Sequence, residues 1–105
     1  MELFPKTVRH LLPKNIDNVK CKDLIAPVKF FSIYSGWTWF ACSAEPWGKG
    51  DVLFSGFVIG IESEFGDFSL SELQQHGAER DLSFDPIYLS PLMANGTYVK
   101  VAKAG

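Results

Sequence analysis

Between Val28 and Ser43 the chain reads VKFFSIYSGWTWFACS, with Lys29 as its one formally charged residue. In strand period, Val28, Phe30, Ser32 and Tyr34 fall on one side and Lys29, Phe31 and Ile33 on the other. After a turn at Ser35-Gly36, Trp37, Trp39 and Ala41 share a face, backed by Thr38, Phe40 and Cys42. Glycine adopts positive φ without a Cβ clash, so a Ser-Gly pair between two such runs predicts a β-hairpin. A half-exposed strand alternates apolar with polar residues. This hairpin is apolar on both sides, so it must be covered twice or leave oily surface outside. Val52 to Ile61, VLFSGFVIGI, predicts a third strand of the same kind. Gly56 and Gly60 share one of its faces, where bends or the close approach of another element are expected.

The flanking pattern predicts short elements. Pro5 to Leu12 reads as a helix, with Pro5 at its start, Val8, Leu11 and Leu12 on one stripe, and Pro13 preventing continuation. Lys14 to Ala26 reads as a loop, as does Ala44 to Asp51, which carries Trp47 among a proline and two glycines. Glu62 to Asp67 reads as an acidic turn. Ser69 followed by Glu72 forms a capping box, Phe68 and Leu73 stand as its hydrophobic staple, and Gly77 marks the helix end. Leu82 to Asp85 reads as a strand stopped by Pro86, and Asn95-Gly96 as a two-residue turn that returns Thr97 to Ala102 onto Leu92 to Ala94. Together these predict a single α+β domain: an antiparallel, strongly curved sheet of about five strands with two short helices.

Composition and charge change this picture in four ways. With 105 residues, 47% apolar and 14% aromatic, the chain can bury a core without staples, which excludes disorder. No run reaches the roughly 18 apolar residues of a membrane span, and MELFPKTVRHLLPK lacks the apolar core of a signal peptide, so a cytoplasmic protein is expected. Cys21 and Cys42 stand apart, which predicts free, mainly structural thiols, and with His10 and His76 as the two histidines no metal or other cofactor is implied. Charge is unevenly placed: residues 1 to 29 carry six basic against three acidic side chains, a net of +3, whereas residues 45 to 85 carry two basic against nine acidic, a net of −7. An acidic face suits a basic protein partner better than a polyanion.

Lys29-Phe30-Phe31, Trp37-Thr38-Trp39-Phe40-Ala41, Gly66-Asp67-Phe68-Ser69-Leu70-Ser71-Glu72-Leu73 and Glu79-Arg80-Asp81-Leu82-Ser83-Phe84, in that order, resemble the signature runs of a small bacterial domain-of-unknown-function family, number 2958, over residues 3 to 91. Asp67 stands where that pattern calls for an aromatic, and residues 92 to 105 fall outside it as a C-terminal hairpin extension. The resemblance implies a setting on plasmids, integrative elements or prophages and supplies no catalytic residues.

The candidate binding residues are therefore Trp37, Trp39, Phe40, Trp47, Glu62, Glu64 and Asp67, with Ser69, Glu72, Gly77, Arg80 and Asp81 as structural positions. They suggest a non-catalytic protein-binding module whose acidic and aromatic surface engages a basic face of a host nucleic-acid-handling complex, an anti-defence inhibitor of CRISPR or restriction machinery being one concrete form. Surplus aromatics also allow a homodimer. Two other readings compete. The aromatic hairpin could stack single-stranded nucleic acid, although Lys29 is a thin basic lining for that. His76, Glu79, Arg80 and Asp81 could form a small proton-transfer site, or Arg80 could simply fork onto a carboxylate and pin the helix to the next strand.

Overall fold

In a computed structural model, described here over residues 2–14 and 24–102, the chain forms two antiparallel sheets and three short helices. The elements are α1 (Lys6–Arg9), β1 (Ile25–Ala26), β2 (Val28–Phe31), β3 (Thr38–Trp47), β4 (Asp51–Ile59), β5 (Ser63–Ser69), α2 (Leu70–Gln75), β6 (Glu79–Arg80), β7 (Ile87–Tyr88), α3 (Leu89–Asn95) and β8 (Val99–Lys100). The main sheet has five strands in the order β5-β4-β3-β2-β6, and the smaller one runs β1-β7-β8. The α+β class and the five antiparallel strands agree with the sequence pattern. Three helices form where two are predicted. Among the described residues the main sheet is open, β5 and β6 each having one strand neighbour, so it does not close on itself.

The doubly apolar centre is covered by two different parts of the chain. On one face Val28, Phe30, Trp39, Ala41, Val52, Phe54 and Phe68 pack with Leu73 of α2 and with Leu3, Phe4 and Leu12 of the N-terminal segment. Phe54 lies at the middle of an aromatic set, with Phe4, Phe30 and Phe68 rings at 4.9, 5.4 and 5.4 Å. On the other face Phe40, Cys42 and Phe57 pack against Leu24, Ala26, Ile87, Leu89 and Leu92, supplied by the smaller sheet and α3. Cys42 is buried there, and Cys21 lies outside the described residues.

Local differences from the predicted elements have local causes. The hairpin turn is longer than two residues, because pairing ends at Phe31 with Thr38. Ser32 is buried, and a buried hydroxyl needs partners. It accepts from the Tyr34 and Ser35 amides at 3.2 and 3.1 Å and donates to the His76 carbonyl at 2.6 Å, which turns the chain early and leaves Ile33 and Tyr34 exposed. Conversely, β3 runs through the segment predicted as a loop and ends at Trp47, opposite Asp51. Pro46 is tolerated in it because the Ala44 amide, two residues earlier, donates to the Pro13 carbonyl on the side away from β4, so the proline nitrogen falls where β4 needs no donor.

The acidic turn is strand β5 instead: Asp, Glu and Gly are poor strand formers, but an edge strand tolerates them because water solvates one side. Ser69 caps α2 as predicted, accepting from the Glu72 amide at 3.1 Å, and Gly77 closes it at φ +64°. The predicted strand Leu82 to Asp85 is a turn held by the Asp81 carboxylate, which accepts from the Ser83 amide at 3.0 Å. Asn95-Gly96 terminates a helix rather than a hairpin. Gly96, at φ +74°, donates to the Leu92 carbonyl at 2.8 Å, and the strand that follows pairs with β7. The C-terminal hairpin extension is thus α3 followed by β8.

Between Ala41 and Ser43 the register of β3 on β4 shifts by one residue. This bulge drives the Phe40 carbonyl onto Gly56, where a Cβ would sit 1.8 Å from its oxygen. Backbone cannot yield as a flexible side chain does. Gly56→Ala is therefore expected to destabilise the chain by about 3 kcal/mol, read from the denaturant midpoint; a loss under about 0.5 kcal/mol would show that the bulge relaxes freely.

Candidate functional site

The end of the sheet where β3 begins and β4 finishes carries an ordered aromatic group. Trp39 is buried, Trp37 half-buried, and their rings lie 6.0 Å apart. His76, capping the C-terminus of α2, sits 4.9 Å from the Trp37 ring and 5.0 Å from the Trp39 ring, with its Nδ1 3.2 Å from Ser35 Oγ. A Cβ at Gly60 would meet the Trp37 indole at 2.7 Å, and one at Gly77 would meet the Tyr34 ring at 2.9 Å. Both glycines foresee close approach, and at Gly60 the approaching group is Trp37. Trp37 is wedged between Gly60 and His76, so little rotamer freedom is left to it.

Beside this wedge, Trp37, Val58, Ile61, Glu62 and Glu64 line a shallow depression of about 220 Å³. Ile61 is 92% exposed and both carboxylates reach solvent. A depression lined by apolar side chains together with two carboxylates can take a long cationic side chain, whose methylenes cover apolar surface while its head meets the acids. Of the seven candidate binding residues, the structure brings together Trp37, Glu62 and Glu64. Val58 and Ile61 went unnoticed in the sequence; an apolar residue directly before Glu62 was the available signal.

The others are placed elsewhere. Trp39 and Phe40 are core residues, 2% and 0% exposed, and their assignment as contact residues is corrected: the two covering layers hide them. Phe40 packs on the opposite face against Phe84 and Tyr98 at 5.9 and 5.7 Å, with the Lys29 amino group 5.9 Å from its ring. Trp47 is exposed, but at the β3–β4 tip, the far end of β4 from Glu62. Asp67 pairs with Ser55 and accepts its hydroxyl at 2.6 Å; strand alternation puts it on the face opposite to Glu64.

The His76, Glu79, Arg80 and Asp81 group does not converge. His76 serves the tryptophans, Glu79 pairs with Phe31 in β6, and Asp81 lies 3.7 Å from Lys29. Among the described residues Arg80 makes no carboxylate fork. Its Nη1 donates to the Leu3 carbonyl at 3.0 Å and, more loosely, to that of Glu2 at 3.4 Å, pinning the N-terminal segment over the core.

A larger groove of about 520 Å³ runs between the N-terminal segment and the β3–β4 tip, with Phe4, Leu12, Pro46 and Val52 as apolar lining and Arg9, Lys14, Glu45 and Asp51 as charged lining. Asp51 is committed to structure: it accepts from Ser71 Oγ at 2.6 Å, from the Val52 amide at 2.8 Å and from the Ser71 amide at 3.1 Å. The Ser71 hydroxyl above all, with these amides, holds its carboxyl below the ordinary carboxylate range. Among the described residues no group of three or more His, Cys, Asp or Glu side chains is placed to hold a metal ion, and no helix is long and apolar enough to cross a membrane.

A lowered folded-state pKa stabilises the fold above the unfolded value, and that contribution fades as pH falls through the lowered one. Between about pH 5 and pH 2, denaturant midpoints of the parent chain should therefore fall further than those of Asp51→Asn. Parallel pH curves for the two proteins would sink this role for Asp51.

Comparison with curated proteins and with solved structures finds no match to this chain. A family described as a protein of unknown function (DUF2958) matches residues 3–104, so the match runs on through α3 and β8 instead of stopping at residue 91. The chain belongs to the DUF2958 family.

Proposed function

We propose that this chain is a non-catalytic protein-binding module that engages a basic partner through the end of the sheet where Trp37, Ile61, Glu62 and Glu64 converge. The observation that carries it is Ile61, 92% exposed, which lines one shallow depression with Glu62, Glu64 and a Trp37 already held in place by Gly60 and His76. A preorganised apolar contact beside charged groups is one way binding surfaces combine affinity with orientation. An inhibitor of a host restriction or CRISPR complex, encoded on a mobile element, is one concrete form of the reading, because nucleic-acid-handling complexes carry basic surfaces.

The competing readings draw less support. A stacking platform needs exposed rings, and Trp39 and Phe40 lie inside the core. Proton transfer needs its groups in mutual reach, and His76, Arg80 and Asp81 are each engaged separately.

Affinity capture from a bacterial lysate, with the retained proteins identified by mass spectrometry, is the decisive experiment. The parent chain should retain a basic protein at low and moderate salt, and the double variant Glu62→Lys/Glu64→Lys should lose it. Retention of nothing by the parent, or equal retention by the variant, would remove this surface from consideration.

A further inference from the structure

The strand beside that depression has an open side. Among the described residues β5 occupies the end of the five-stranded order, paired with β4 alone, and it is seven residues long against two in β6 at the other edge. Such an edge presents a row of backbone donors and acceptors to which a further strand can add. The side chains along it alternate in a way that describes a complement. Glu64 and Gly66 point to the face that carries Trp37, and Phe65 and Asp67 to the other, from their pairing with Val58, Gly56, Phe57 and Ser55. Phe65 is 40% exposed, and the space a Cβ would occupy at Gly66 is empty to 4 Å. No lysine or arginine occurs between Lys49 and Arg80.

We infer that β5 is a docking edge for an extended basic polypeptide segment, which adds to the main sheet as a sixth strand. Its cationic side chains lie beside Glu64 and Asp67, and apolar ones lie over Phe65 and the bare backbone at Gly66. The inference rests on the protein-binding reading above and specifies its partner and mode. Charge decides between occupants: a second copy paired edge to edge would set the same acidic run against itself, and like charges facing across a ladder are destabilising. A basic strand reverses that sign at both acidic positions. The cation next to Glu64 is also the one positioned to reach the depression formed with Trp37, Ile61 and Glu62.

The test is calorimetric titration of the full chain at low salt with a synthetic peptide of about ten residues repeating lysine, valine, phenylalanine and arginine. Two further versions carry N-methyl groups on one or the other alternate set of backbone nitrogens. Strand addition uses only one edge of the incoming peptide, so one methylated version should bind at least about tenfold more weakly and the other about as well as the parent peptide. Glu64→Lys, an exposed position whose fold can be verified by circular dichroism, should weaken the parent peptide by about tenfold. Equal binding of both methylated peptides would overturn strand addition while leaving the basic-partner reading standing, and so would failure of every peptide if affinity capture still yields a basic protein. If capture fails as well, it is the underlying reading that falls. A dimer by light scattering that Phe65→Asp dissolves would place a second copy on this edge and overturn the inference in that way.

Discussion

A strand that is apolar on both faces has to be covered twice, and β3 is that strand. Trp39 and Ala41 go to one side and Phe40 and Cys42 to the other, all of them buried. Burial of a large aromatic side chain contributes roughly 1.5 to 3 kcal/mol, so neither set can be left in water by a domain of this size. Nearly everything else in the chain is disposed to meet that requirement. The N-terminal segment and α2 close the first face, and the smaller sheet with α3 closes the second. Arg80 ties the first cover down through the Leu3 carbonyl, and the Leu89 amide, donating to the Leu24 carbonyl at 2.9 Å, joins α3 to the segment entering β1.

Covering both faces leaves the margins of the sheet exposed. Trp37 illustrates the transition. It continues the Trp39 side of the hairpin, but it stands at the rim, where Gly60 makes room for it and His76 closes on it. Past it the chain turns through Ile61 and Glu62 into β5, an edge strand with acidic side chains and one strand neighbour. Acidic residues on such an edge oppose pairing with another acidic edge and permit pairing with a basic one.

Much of this was legible in the order of residues. The Ser69 cap, the Phe68 and Leu73 staple and the Gly77 stop depend on spacings within a few positions, and all three stand as read. The glycines at positions 56 and 60 pointed to close approaches, and Gly56 against the Phe40 carbonyl and Gly60 against Trp37 are those approaches. Strand β5 was hidden because its composition is that of a turn. Helix α3 was hidden because Asn95-Gly96 ends a helix as readily as it joins two strands, and only the position of Val99 opposite Tyr88 decides which. Among the site residues, Trp37, Glu62 and Glu64 could be nominated from type alone, whereas nothing local distinguishes the rim position of Trp37 from the core position of Trp39.

The amino-acid sequence by itself determined that the central hairpin is apolar on both sides, that negative charge collects between Glu45 and Asp85, and where a helix had to begin and end after Phe68. These are properties of neighbouring residues and need no knowledge of distant ones. Tertiary structure alone decided which segment lies over which face, and therefore which tryptophan is core and which is rim, and that β5 ends the sheet with an open side. Those outcomes depend on contacts between residues such as Phe40 and Tyr98 or Trp37 and His76. Far apart along the chain, such pairs leave no local pattern, because burial is a property of the completed packing and not of the residue type.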